Sequence, residues 1–253
     1  MRRKFLFEYD MTFITIMSVV LFIIPCIIVY GYYLLTRNMP LNVVDQYFVN
    51  GIKSENLYQM VFVYFLFMVL MFLWMVLHEI IHGKFYVLKG ANKKNITYGA
   101  ALEKGVFYCR CGEFIYKENV MMSLMAPFTI IGVITLVIGM IIHSYLLIFL
   151  SVVNISGAAG DIVMFFFFLD KKEDKNLRFI EFGDTLTFCL ESFEDLSKTH
   201  NKGVKFSREI YNDSELPVND NSKKIQVSKG SYIVLIFIVV LFSVLFGLSL
   251  SVK

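Results

Sequence analysis

The chain is short of the residues that punctuate and solubilise a globule. Four prolines and fifteen glycines in 253 residues exclude a collagen-like or low-complexity chain. Charged residues make up only 18% of it, against about 25% in soluble domains, which excludes a water-soluble globule. Four cysteines, Cys26, Cys109, Cys111 and Cys189, are too few and too scattered for a secreted disulfide framework, so no disulfide is predicted. Neither sign of charge dominates. A net charge of +3 gives no argument for nucleic acid, and no nucleic-acid partner is expected. What the chain has is apolar surface, 57% hydrophobic and 16% aromatic residues. Such a composition describes an integral membrane protein whose first partner is the lipid bilayer.

A bilayer core takes about 20 apolar residues of helix. Apolar runs of that order, uncharged but for Asp161, occur at residues 11–36, 56–78, 120–169 and 231–252. The second is carried further by Ile80 and Ile81, and the third is long enough for two helices that turn at His143-Ser144. The expected fold class is therefore an all-α polytopic membrane protein with about five transmembrane helices. Lys and Arg cluster in segments 1–10, 83–118 and 170–230, which hold 21 of the 24. Basic segments stay on the cytoplasmic side. The pattern predicts a multi-pass protein of the bacterial cell membrane with a cytoplasmic N-terminus and an external C-terminus. The opening Met-Arg-Arg-Lys and its long apolar run read as an uncleaved anchor.

Two stretches outside the spans carry strand signals. Residues 95–111 place β-favouring residues on either side of Glu103-Lys104-Gly105, predicting a small cytosolic hairpin. Residues 178–190 repeat the pattern around Gly183-Asp184, after the fourth helix. Residues 191–229 are polar and mixed in charge and predict a flexible tether. The expected organisation is a membrane core over 1–169, a cytosolic hairpin and tether over 170–230, and a C-terminal transmembrane helix over 231–253.

The chemistry is concentrated in His78-Glu79-Ile80-Ile81-His82, at the close of the second apolar run. Histidines at i and i+4 share a helix face and can bind one zinc, and the glutamate between them can act as general base on water at that metal. A charged group beside an apolar span is a functional-site hypothesis by default. A catalytic zinc takes a third protein ligand. Asp161 is the only acidic residue between Glu118 and Asp170. It lies about 12 Å along its helix from the inner end, and His78 about 9 Å from Lys84, so their depths agree. Gly157, Ala158, Ala159 and Gly160 beside it are small enough to admit another helix backbone. His143, at the outer turn, is a membrane thickness away from His78 and is read as a turn residue. Cys109 and Cys111 share one face of a strand and are read as hairpin packing. Pro127 is read as kinking or starting the third helix.

An intramembrane HEIIH, a hairpin-bearing loop and a later helix with Asn154 and Asp161 together resemble the site-2 protease group of membrane metallopeptidases. The stretch from His78 to about Phe188 is more closely similar to a bacterial family of membrane zincins of unknown function. It includes Gly99-Ala100, Cys109-Arg110-Cys111, Ala126-Pro127-Phe128 and Asn154 to Asp161. The resemblance implies zinc held by His78, His82 and Asp161, with Glu79 catalytic. Gly157 stands where the site-2 group has a proline. The expected function is an intramembrane zinc metallopeptidase hydrolysing a membrane-embedded or membrane-adjacent peptide bond, with a membrane protein or peptide as substrate. Asn154 is the candidate for holding the oxyanion, and the hairpin would receive substrate by strand addition. The alternative is a non-catalytic membrane binding or immunity-type protein that retains a zinc-site scaffold.

Overall fold

The structure is a computed structural model that describes residues 2–101, 106–171, 174–182, 186–199 and 201–217. Strand β1 (Arg3–Tyr9) leads into helix α1 (Met11–Thr36), followed by α2 (Val43–Ile52) and the long α3 (Leu57–Leu88). A hairpin of β2 (Ile96–Ala101) and β3 (Val106–Cys111) and a short strand β4 (Ile115–Tyr116) come next. Helix α4 (Lys117–Pro127) runs through a π-helical segment (Phe128–Ile134) into α5 (Thr135–Ile141). Helices α6 (Tyr145–Gly157) and α7 (Ala159–Asp170) precede strands β5 (Arg178–Phe182), β6 (Thr187–Ser192) and β7 (Val204–Ile210).

Three helical stretches are long and apolar enough to cross a membrane: Met11–Thr36, Leu57–Leu88 and Lys117–Ile141. The pair α6 and α7, bent by 48° at its break, raises the number to four if it acts as one span. The fifth expected span, at 231–252, lies outside the described residues. Asp10 starts α1 by accepting hydrogen bonds from the amides of Thr12 and Phe13, satisfying donors that a helix N-terminus leaves open. The turn between α5 and α6 falls at His143, whose φ is 53°. Helix α3 continues six residues beyond His82, so the HEIIH segment lies within a helix instead of closing one.

The fold class is corrected from all-α to mixed α/β. Five antiparallel strands form a sheet in the order β4-β5-β6-β1-β7. The expected hairpin at 178–190 exists as β5 and β6 but is only part of this sheet. Strand β1 lies between β6 and β7, pairing Phe7 with Phe188 on one side and with Phe206 on the other. The expected tether at 191–229 contains β7, and only its last part lies outside the described residues. The reason is charge. Arg2, Arg3 and Lys4, and the basic residues of β7, satisfy the positive-inside rule without any strand, so the sheet had no separate signal in them.

Strand alternation divides the sheet into two faces. Phe5, Phe7, Phe179, Phe188 and Leu190 face the helices, where they pack with Met164, Phe167 and Phe168 of α7 and with Val120 and Leu124 of α4. Leu6, Ile180, Phe182, Cys189 and Ile210 cover the other face. At the opposite end of the bundle α2 packs on α3, and the buried Asp45 accepts from the first amides of α6, Tyr145 at 2.6 Å and Leu146 at 3.1 Å. The sheet thus seals the end of the bundle where α3, α4 and α7 meet.

Phe7 is wholly buried and stacks on Phe188 at 5.5 Å, with Phe167 edge-on at 5.7 Å. Phe7→Ala should cost about 3–5 kcal/mol. Hydrogen exchange of the β6 and β7 amides should rise with that loss, and unchanged protection would remove β1 from the centre of the sheet.

Candidate metal centre

The site is assembled by four helices. Helix α3 carries His78 and His82 one turn apart on a shared face, with Glu79 next to His78 in the chain. The break between α6 and α7 lets the chain place Asn154 on the last turn of one helix and Asp161 in the first turn of the next. Helix α4 supplies Ser123. The Nε2 atoms of His78 and His82 stand 3.1 Å apart. Asp161 Oδ2 is 3.2 Å from the first and Asp161 Oδ1 3.4 Å from the second. Among the described residues these three form the group with metal-ligand geometry.

Both imidazoles have their other nitrogen engaged. His82 Nδ1 donates to the Ser123 carbonyl at 2.9 Å, and Ser123 Oγ donates back to the His82 carbonyl at 3.0 Å. A carbonyl can only accept, so Nδ1 of His82 carries the proton and Nε2 presents a lone pair. His78 Nδ1 donates to Asn154 Oδ1 at 2.8 Å, and Asn154 Nδ2 donates to the Pro127 carbonyl at 3.3 Å. The amide is thereby oriented so that its oxygen meets His78.

Two lone pairs and a carboxylate aimed at one point repel one another unless a cation sits among them. Ligands about 2.0–2.2 Å from a tetrahedral zinc are about 3.3 Å from each other, which matches the observed separations. The residues therefore fit zinc. The outward hydrogen bonds are those that fix the tautomer and orientation of metal-binding histidines. His82 is 5% exposed, so the site is shielded from bulk water.

Two cavities flank this point. The first, of about 170 Å³, runs from His78, Glu79 and Asp161 to Tyr9 and Glu181 at the sheet. The second, of about 210 Å³, is walled by Met71, Trp74, Met75 and Val153. His78, Glu79, Phe107 and Gly157 border both. The small residues at the helix break divide in role. Ala158 and Ala159 are buried as close-packing residues, whereas a Cβ on Gly157 or Gly160 would meet nothing within 4 Å. Those two glycines widen the cavity and do not admit a neighbouring helix, contrary to the reading from sequence.

Hairpin β2–β3 docks on α3, and the contact at Gly83 is so close that a Cβ there would lie 2.0 Å from the Tyr98 hydroxyl oxygen. The backbone N–H of Cys109 donates to the Glu79 carboxylate. Burial pushes the Cys109 thiol well up from its ordinary range, keeping it protonated. His143 lies at the far end of α5, hydrogen-bonded to Tyr32, and takes no part. Ser123 and Glu181 escaped the sequence reading. Ser123 could have been noticed as a hydroxyl in an apolar run at the depth of His82. Glu181 lies on the predicted hairpin at 178–190, but its role had no local signal, because the long-range pairing of β1 with β6 that brings Tyr9 beside it has none.

Purified protein should contain about one zinc per chain. His78→Ala or His82→Ala should remove it, Asp161→Ala should weaken it, and Asn154→Ala should lower zinc affinity about 10–100-fold. Competition with a chelating dye reads each value. Undiminished affinity in Asp161→Ala would take that carboxylate out of the ligand set.

No curated protein and no solved structure matches the chain. Residues 71–175 match the model of a family described as "Putative zincin peptidase", a stretch that contains His78, Glu79, His82, Ser123, Asn154 and Asp161.

Proposed function

We propose that the protein is an intramembrane zinc metallopeptidase that hydrolyses a membrane-embedded or membrane-adjacent peptide bond, with a site-2-protease-like arrangement of its ligands. The observation that carries this reading is the convergence of His78, His82 and Asp161 within 4.8 Å, with Glu79 beside them on the wall shared by both cavities. A purely structural zinc site has no use for a carboxylate in that place.

Bound zinc would polarise the scissile carbonyl and acidify the attacking water. Glu79 takes the proton of that water on its carboxylate and returns it to the leaving nitrogen. The Cys109 amide holds the carboxylate in position for both transfers. Asn154, with both amide atoms engaged, we assign to orienting His78 in preference to holding an oxyanion.

The hairpin supports a route for substrate. The Gly112 amide donates to the Asn95 carbonyl on the β2 side, and the Cys109 amide points to Glu79. Backbone groups alternate along a strand. The N–H and C=O of Phe107 and the C=O of Cys109 therefore face the cavity, where an extended peptide can pair with them while the Cys109 N–H stays on Glu79. In the membrane, the basic segments place β1, the hairpin and the sheet on the cytoplasmic side. A cysteine introduced at Glu55 and one at Asn201 should then label from opposite faces of the membrane.

Glu79→Gln should abolish cleavage of membrane peptides by the purified protein while leaving its zinc content unchanged. Gly157→Leu, which places a side chain in the space shared by both cavities, should impair cleavage with zinc retained. A Glu79→Gln protein that keeps its full effect on cells would sink the peptidase reading.

A further inference from the structure

The metal centre and Glu79 use only one end of the sheet-side cavity. At its other end, Tyr9 Oη donates to Glu181 Oε1 at 2.8 Å. Both residues line the cavity, and both come from the sheet: Tyr9 from the last position of β1, Glu181 from β5. Glu181 shares a face of β5 with the wholly packed Phe179, so the strand fixes its direction toward the helices. Tyr9 is fixed by its ring contact with Phe188, 5.2 Å between centroids.

The charges in this cavity do not balance. Glu79, Asp161 and Glu181 all border it, and among the described residues no lysine or arginine does. A divalent cation held by His78, His82 and Asp161 offsets two of the three negative charges. One remains. Among the described residues, Tyr9 is the side chain whose hydrogen bond supports the Glu181 carboxylate, and burial pushes the Glu181 carboxyl up to about 7, as it does for a carboxylate with no cation beside it. The other cavity, on the far side of Glu79, is walled by Met71, Trp74 and Met75. A substrate lying across Glu79 therefore meets apolar walls on one side and an uncompensated carboxylate on the other. Membrane segments carry that same sequence of properties, apolar within the bilayer and rich in Lys and Arg at the cytoplasmic flank.

We propose that Glu181, held by the Tyr9 hydroxyl, is a subsite for one positively charged group of the peptide substrate, an inference that rests on the peptidase reading above. Its source is a lysine or arginine side chain flanking the apolar segment, or the free amino terminus of a shortened peptide. An ammonium or guanidinium donates a charge-assisted hydrogen bond to the second carboxylate oxygen while Tyr9 keeps the first.

The test measures binding, using the zinc-loaded full-length Glu79→Gln protein in detergent and fluorescent peptides with an apolar half followed by lysine, norleucine or glutamate. Each is made with a free and with an acetylated amino terminus. The lysine peptide should bind about tenfold more tightly than its norleucine counterpart, the order expected of one charge-assisted hydrogen bond. Adding Glu181→Gln, which preserves an acceptor for Tyr9, should bring the ratio to about one, and adding Glu181→Lys should shift preference to the glutamate peptide. A loss on acetylation that is indifferent to lysine would assign the subsite to the amino terminus. Equal binding of lysine and norleucine peptides, no binding of either, or a preference that survives Glu181→Gln would overturn the proposal. The protein with Glu79 intact separates the two readings. Cleavage without charge preference leaves the peptidase and removes the subsite, whereas charge preference without cleavage of any peptide leaves the subsite and removes the peptidase.

Discussion

Two imidazole lone pairs and a carboxylate held 3.1–3.4 Å apart repel one another unless a cation joins them, and the helices around them are arranged to enforce that meeting. Helix α3 must run unbroken through His78 and His82 to keep both on one face. Helix α4 must lie close enough for Ser123 to exchange two hydrogen bonds with His82. Helices α6 and α7 must bend, because Asn154 and Asp161 reach different atoms of the same centre. A straight helix turns by about 700° over seven residues, about 20° short of two full turns, which would put both side chains on nearly one line. The 48° bend instead lets Asn154 support His78 from behind while Asp161 approaches from the front.

A membrane protein can bury such a centre between helices without a sheet. Here the sheet adds closure. Its helix-facing side is lined with phenylalanine, and Phe167 and Phe168 of α7 are wholly buried against it. Each aromatic ring buried there removes a large apolar area from water. The consequence for chemistry is a low-dielectric end wall on the sheet side of the site, where hydrogen bonds and charges act more strongly than in water. The same sheet places Tyr9 and Glu181, from opposite ends of the chain, beside residues of α3 and α7. Folding of the sheet and completion of that cavity are therefore one event, since β1 must pair with β6 and β7 before Tyr9 meets Glu181.

The candidate site was legible in the sequence because its elements are local. His78, Glu79 and His82 announce themselves by helical spacing, and Asp161 by being the lone acid in a long apolar run. The turn at His143 and the hairpin on either side of residues 102–105 were legible for the same reason. The sheet was not. Its strands β1 and β7 are separated by nearly the whole chain, and each is short and bordered by basic residues that membrane topology explains without a strand. Lys4-Phe5-Leu6-Phe7-Glu8-Tyr9 alternates only in part, because Leu6 is apolar, and six such residues carry meaning only with a partner. Glu181 stood on a strand that was legible, but the sheet that sets Tyr9 beside it was not. Gly157 and Gly160 were visible, and the inference from them went to helix packing, the usual use of small residues in membranes; open space beside a glycine is a property of the cavity and has no sequence signature.

That open space bears on how a membrane segment could be cut at all. In a helix every interior backbone carbonyl is already hydrogen-bonded, and within a bilayer breaking such a bond without a replacement is costly. A carbonyl must nevertheless come free to be attacked. The bare floor at Gly157 leaves open space beside Glu79, and on the proposed peptidase reading the outward edge of β3, at Phe107 and the Cys109 carbonyl, would offer backbone partners in exchange for those lost. Phe107 borders both cavities, so a chain that pairs with this edge passes from the apolar cavity to the polar one across the metal ligands. The cost of unwinding is then offset by the strand edge at the place where the bond must be exposed. On the proposed peptidase reading, selection among substrates would follow from the ease with which a segment unwinds and from what flanks it, more than from the identity of the residues at the cut bond.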